Sequence, residues 1–247
     1  MKVAVINFSG NVGKTTVARH LLLPRIERAE LINVESLNAD EGQGRALRGR
    51  QFGQLQEYLQ SVESVVVDIG ASNVEDLLGM MCRYRGSHED FDYFVVPTVP
   101  ALKQQQDTIA TLTELAQLGV PSSRLKVVFN MVEDGIDVVH AFDTLLAFIA
   151  QKPIALAEVD CRLGTNEIYE RVKGTGAELA ELARDETDYK ALIVKARSTA
   201  DKLVLAQRLA TRRLANGVVP ELDACFAALG LGTGAADGAM SASRQAA

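Results

Sequence analysis

An apolar run, Val3-Ala4-Val5-Ile6, leads directly into Phe8-Ser9-Gly10-Asn11-Val12-Gly13-Lys14-Thr15-Thr16 and then into Val17-Ala18-Arg19-His20-Leu21-Leu22-Leu23. The first segment has the continuous hydrophobicity of a strand buried on both faces, which parallel sheets require. The last has the composition of a helix. A strand, a glycine-containing loop, a Lys-Thr pair and a helix in that order form the arrangement that wraps a phosphate. Small residues at Gly10 and Gly13 let main-chain amides turn inward around anionic oxygens. A helix starting near Lys14 adds the positive end of its dipole. Lys14 supplies a mobile cation, and the Thr15 hydroxyl is placed to hold Mg²⁺. The loop departs from G-x-x-x-x-G-K-[ST] at its first position, where Phe8 stands. The opening run is read as a strand rather than a leader, because it has one basic residue and passes straight into glycine-punctuated sequence.

The same alternation continues downstream. Strands are expected at Leu31–Val34, Ser64–Ile69, Phe91–Val96 (ending at Pro97), Leu125–Phe129 and Ile154–Leu156. Helices are expected at Phe52–Leu59, Asn73–Cys82, Ala101–Leu118 and Ile136–Ile149, with Pro24 ending the first. The helix from Ala101 has a long polar face (Lys103, Gln104, Gln105, Gln106). Such alternation implies βαβ crossovers: an α/β fold with a mostly parallel sheet flanked by helices. Three β-branched residues, Val65 to Val67, run into Asp68, whose carboxylate would emerge at the ligand-binding edge of such a sheet. Asp68 is read as a Mg²⁺-holding group; the alternative is a cap on the following helix. Residues Glu41 to Arg50 are rich in Gly and Arg and are expected to form a mobile loop.

Residues 1–176 are assigned to this nucleotide-binding domain. A C-terminal helical extension packed on it is expected over 177–229, broken near Asp185–Asp188, and a disordered tail over 230–247. The extension's second half carries Lys190, Lys195, Arg197, Lys202, Arg208, Arg212 and Arg213 against Asp201 alone, in a chain whose net charge is −6. This patch is either a DNA-facing surface or a solvated helix face.

Several classes are excluded. The acidic balance and the lack of Trp argue against a protein whose whole surface grips nucleic acid. Cys82, Cys161 and Cys225 have no metal-ligand spacing and read as reduced thiols. His20, His88 and His140 are far apart in sequence, which favours structural or exposed roles. No stretch approaches the roughly 20 apolar residues that cross a bilayer, and 230–247 lacks an amphipathic anchor.

Ser9 to Thr16, Val65 to Asp68, Val95 to Thr98 and Val127 to Asn130 together resemble the deviant-Walker P-loop ATPases of the ParA/MinD type. The resemblance covers most of residues 1–160, and within the group the chain is most similar to plasmid StbB-like stability and conjugation proteins. It implies an ATP-dependent homodimer that positions plasmid DNA, or a plasmid-encoded DNA-binding partner, in the cytoplasm and on the nucleoid. It further implies that Gly10, Asn11, Val12, Gly13, Lys14, Thr15 and Thr16 cradle phosphate and that Thr15 and Asp68 organise Mg²⁺. Asn130 would meet the adenine of ATP, and Glu35 would stand near the attacking water, giving Lys14, Glu35 and Asp68 as the catalytic set. Two departures stand out. Ser9 occupies the place of the lysine that in this family crosses the dimer to the partner's nucleotide, and Glu35-Ser36-Leu37 replaces an Asp-x-Asp. Both lower the expected turnover, so the expectation is a slowly hydrolysing ATPase, with a nucleotide-gated adaptor of little or no turnover as the alternative. Arg45, Arg48 or Arg50 is the candidate replacement cation. A small-molecule kinase or synthetase on the same loop is a third reading, with no evident second-substrate site.

Overall fold

The computed structural model describes residues 1–34 and 49–232. Glu35, Arg45 and Arg48 lie outside the described residues, as does the tail beyond Gly232. Among the described residues, six strands form one sheet: β1 (Lys2–Val5), β2 (Glu30–Asn33), β3 (Val65–Asp68), β4 (Tyr93–Thr98), β5 (Leu125–Val132) and β6 (Arg162–Gly164). Their order is β2-β3-β1-β4-β5-β6, and every pairing is parallel.

Between the strands run α1 (residues 14–25), α2 (Gly49–Ser61), α3 (Val74–Arg83), α4 (Leu102–Gln117), and α5 (Val138–Ala141) with α6 (Asp143–Gln151). Gly49 and Arg50, expected in a loop, begin α2. Helix α1 opens at Lys14–Thr16, winds as a π-helix over Val17–Leu22 and closes in a 3-10 turn at Leu23–Arg25. Pro24 sits inside that closing turn and lacks the donor that would bond back toward His20. Arg25 compensates: its Nη1 donates to the carbonyls of His20 (2.8 Å) and Leu21 (3.1 Å).

Period-two alternation sorts the sheet's side chains. Ala4, Ile6, Val65, Val67, Ile69, Phe94, Val96, Val127 and Phe129 join one buried cluster with Phe52, Leu55 and Leu59 of α2, Leu77 and Met81 of α3, and Leu112 and Leu115 of α4. The opposite face buries Val3, Val5, Val66 and Val95, and α1 lies against β3. This division follows from the strand order. The chain leaves β1 toward β2 but leaves β3 toward β4, in opposite directions, and right-handed crossovers then place α1 and α3 on opposite faces. The crevice between the ends of β1 and β3 is therefore the switch point where open α/β sheets bind ligands.

Three local differences from the sequence expectations have physical causes. Strand β4 continues through Pro97 to Thr98. Val95 still accepts from Ile6 N–H (3.1 Å), but β1 has ended by Pro97, so the missing proline donor faces no ladder partner. Ile154–Leu156 contributes a single bridge, Lys126 to Leu156. The next ladder bond, from Phe129 N–H, goes to Cys161 O (2.8 Å), so the residues between bulge out and β6 forms at Arg162–Gly164. The helix expected over Ile136–Ile149 starts at Val138, where Asp137 caps Val139 N–H (3.1 Å). It breaks at Phe142, whose ring is fully buried against Phe129 (centroids 4.7 Å).

Internal contacts divide the chain into two units. One is Met1–Gly164 together with the residues from Cys225; the other is Thr165–Ala224. The second unit holds α7 (Ile168–Val172), α8 (Leu179–Arg184), α9 (Tyr189–Lys195) and most of α10 (Thr199–Leu229). The break between α8 and α9 is tightly bonded. Asp185 accepts from Thr187 N–H (2.9 Å) and Tyr189 Oη (2.6 Å), while Arg212 Nη1 donates to the carbonyls of Asp185 (2.9 Å) and Thr187 (2.6 Å). The same guanidinium lies over the Tyr189 ring, 5.1 Å from its centroid. The Thr187 hydroxyl, then the Tyr189 hydroxyl and the Thr187 N–H, all donating to the Asp185 carboxylate, hold it well below its usual range, at about 2. Helix α10 runs on through Gly217 and Pro220, and burial of Val218, Leu222 and Cys225 outweighs the bond lost at the proline.

Candidate nucleotide-binding site

The loop between β1 and α1 is tied down at both ends. At its start Asn7 is fully buried, and its Nδ2 donates to Pro97 O (2.9 Å) and Thr108 Oγ1 (2.8 Å). Its Oδ1 accepts from Ser9 N–H (2.8 Å), so one amide joins the end of β4, helix α4 and the loop. Phe8 N–H donates to Thr111 Oγ1 (3.1 Å), one helical turn further along α4. At the other end Gly13 has φ of 82°, a left-handed conformation, and its carbonyl accepts the first helical bond from Val17 N–H (2.9 Å). Asn11 is left-handed too, at φ 57°, which Asn tolerates better than most residues. Of the two glycines expected to turn the loop, Gly13 has the positive φ and Gly10 does not.

Asn130 reaches the loop from β5. It is 2% exposed, and its Nδ2 donates to Val12 O (2.9 Å). A Cβ at residue 13 would stand 2.1 Å from that same nitrogen. The side chain expected at the adenine therefore braces the loop from beneath, and glycine at 13 is required by a close approach as well as by its backbone angle.

Lys14 lies under the loop, nearly buried, and its ammonium donates to the carbonyls of Asn7 (3.2 Å) and Ser9 (2.6 Å). A buried ammonium held by main-chain oxygens at a helix start is poised to exchange them for phosphate oxygens. Gly10, Asn11 and Thr15 are exposed at the loop's outer surface, Thr16 is half-buried, and Val12 is fully buried in the core. Thr15 Oγ1 donates to Asp68 Oδ2 at 2.6 Å. Asp68 thus meets the loop across the crevice, and α3 takes its N-cap at Asn73 instead. A hydroxyl and a carboxylate oxygen, both hard donors beside a phosphate cradle, suit Mg²⁺. Among the described residues, no group of three or more His, Cys, Asp or Glu side chains forms a metal site.

Of the expected site residues, Gly10 through Thr16, Asp68 and Asn130 come together at the carboxyl edge of β1, β3 and β5. Sequence reasoning missed the contribution of α4. The polar face noted at its start continues inward as Thr108 and Thr111, at helical spacing, and these carry Asn7 and Phe8. Next to them, Asp107 pairs with Lys103 (2.8 Å), and the Lys103 ammonium, with a smaller contribution from Ser9, holds its carboxyl below the usual range. The signal was the apolar-free run Lys103–Thr108 on a helix that must pack on a sheet.

His20, on α1, is half-buried; burial and then the neighbouring Arg19 lower its pKa to about 4. Cys161 is buried and its thiol is pushed up to about 12, chiefly by desolvation. No helix among the described residues is long and apolar enough to cross a membrane.

No protein-family model matches the chain, and no curated protein matches it. Several solved structures resemble it in fold. The MinD cell division protein of Aquifex aeolicus is 14% identical with a TM-score of 0.49, covering 85% of this chain and 96% of that one. Apo McdA of Cyanothece is 16% identical with a TM-score of 0.47, over 75% and 94%. A plasmid partition protein of Borrelia burgdorferi bound to AMPPNP is 12% identical with a TM-score of 0.47, over 84% and 98%. The likeness is one of layout and is silent on chemistry.

Proposed function

We propose that this chain is an ATP-binding, slowly hydrolysing ATPase of the ParA/MinD kind, which positions plasmid DNA or a DNA-bound partner in plasmid stability or conjugative transfer. The observation that carries the nucleotide reading is the Thr15–Asp68 hydrogen bond of 2.6 Å beside the buried Lys14. It supports that reading because a buried ammonium and a hydroxyl of the loop stand with the carboxylate at the end of β3 at the switch point of the sheet, groups suited to phosphate and to Mg²⁺. In this reading Gly10 to Thr16 surround the phosphates, Lys14 meets the β and γ oxygens, and Thr15 and Asp68 hold Mg²⁺. The metal's chemical contribution is to offset charge on the transferred phosphoryl group. Asn130 would serve ATP by fixing the loop, and the adenine contact remains part of the proposal. Glu35 belongs to it on the sequence resemblance alone. A homodimer formed in the ATP-loaded state follows from the same reading.

Ser9 favours low turnover. A neutral side chain there brings no cation to the γ-phosphate, which supports the nucleotide-gated adaptor as second reading. Isothermal titration with Mg-ATP tests the core of both: the parent binds, and Lys14→Ala loses at least tenfold in affinity, on the scale of a charge-assisted phosphate contact. Equal affinity of the two proteins would sink both readings. Phosphate release with and without DNA then separates them.

A further inference from the structure

Two lysines converge on the start of the loop from different elements. The Ser9 carbonyl accepts from Lys14 Nζ at 2.6 Å, and on α4 Asp107 pairs with Lys103 at 2.8 Å, its carboxyl held below the usual range by Lys103 and to a smaller extent by Ser9. Helix α4 follows β4 directly, so its first turn stands at the same sheet edge as the phosphate loop. Thr111 and Thr108 hold Phe8 and Asn7. Asp107 is one turn before Thr111 toward that edge, and Lys103 one turn further. The Lys103 side chain is three-quarters exposed.

This arrangement is electrostatically odd for a site meant to take a polyanion. A carboxylate on the helix that anchors the loop repels an incoming triphosphate unless a cation neutralises it, and an isolated i,i+4 pair on a helix surface is weak and easily exchanged. Phosphate oxygens, with higher charge than a carboxylate, compete well for such an ammonium.

We propose that Lys103 is a second phosphate-binding cation of this site, stored on Asp107 when the loop is empty and transferred to the terminal phosphate of a bound nucleoside triphosphate. The proposal rests on the nucleotide-binding reading above and adds the residue that distinguishes triphosphate from diphosphate. Asp107 is the positioning residue: it holds the cation within one side chain's reach of the loop and repels the polyanion when the cation is removed.

The test is titration of the full chain with Mg-ATP and Mg-ADP at low and high salt, for the parent, Lys103→Gln, Asp107→Asn and the double variant, with circular dichroism to verify folding. Lys103→Gln is expected to weaken ATP about tenfold at low salt and ADP much less, as loss of one charge-assisted bond predicts. Asp107→Asn is expected to tighten ATP about threefold, and the double variant to bind better than Lys103→Gln alone. A merely structural ion pair predicts the opposite sign for Asp107→Asn and equal effects on ATP and ADP; either result would overturn the proposal. A parent that binds ATP while Lys103→Gln binds it equally well sinks only this proposal. A parent that binds no ATP removes the nucleotide reading and this inference with it.

Discussion

Gly13→Ala tests the mechanical account of the loop. The new methyl must adopt φ near 82° and would lie 2.1 Å from Asn130 Nδ2. Left-handed backbone at a non-glycine residue costs about 1–2 kcal/mol. Asn130 cannot swing aside freely, because it is buried and bonded to Val12 O. Moving it breaks that bond and strands a buried amide and carbonyl, a further cost of about 1–3 kcal/mol. The expected destabilisation is therefore about 2–5 kcal/mol. It is measured by urea unfolding, with ATP affinity read in parallel. Asn130→Ala removes the obstacle and the bond together, so the double variant should fall short of the sum of the singles by at least about 1 kcal/mol. Gly10→Ala is the control: it has no positive φ, no atom lies within 4 Å of its added Cβ, and it should change stability by less than about 0.5 kcal/mol. Parent-like stability of Gly13→Ala, or strict additivity with Asn130→Ala, would refute the reasoning.

Two further expectations concern regions away from the loop. His20 is held neutral in the folded chain, with its pKa lowered from 6.5 to about 4, so it supports folding above pH 6.5 and withdraws that support as pH falls toward 4. Because the ring is only half-buried, the loss should be about 1–2 kcal/mol, and His20→Gln should flatten that part of the urea-stability profile; an unchanged slope contradicts it. In the second unit, Arg212→Gln should lower stability by about 1–2 kcal/mol, because its guanidinium braces the break between α8 and α9 and lies on Tyr189. Charge reversal at the exposed Arg208 and Arg213 should instead leave the melting curve in place and weaken salt-sensitive DNA binding more than tenfold. The reverse pattern would assign Arg212 to the DNA.

The central strands were readable because their chemistry admits few alternatives. Val65-Val66-Val67-Asp68 is too short and too β-branched for a helix, and the loop from Gly10 to Thr16 has one well-known geometry. The outer strand was not readable. Ile154–Leu156 has the composition of a strand but meets β5 at one residue, because the register is set by where Cys161 bonds Phe129. Arg162–Gly164 is too short to show any alternation. The clamp from α4 stayed hidden for a different reason: Thr108 and Thr111 are polar residues on a buried face, and their meaning depends on Asn7 and Phe8, a hundred positions away. The π-winding of α1 and the passage of α10 through Pro220 are likewise outcomes of packing that no local propensity reveals.

The proline in β4 has one more effect. Lacking a hydrogen on its nitrogen, residue 97 has only its carbonyl to offer the chain that leaves β1. Asn7 then fastens the departing chain to the proline's oxygen. The loop thus leaves the sheet already tied, through one side-chain amide, to the strand beside it.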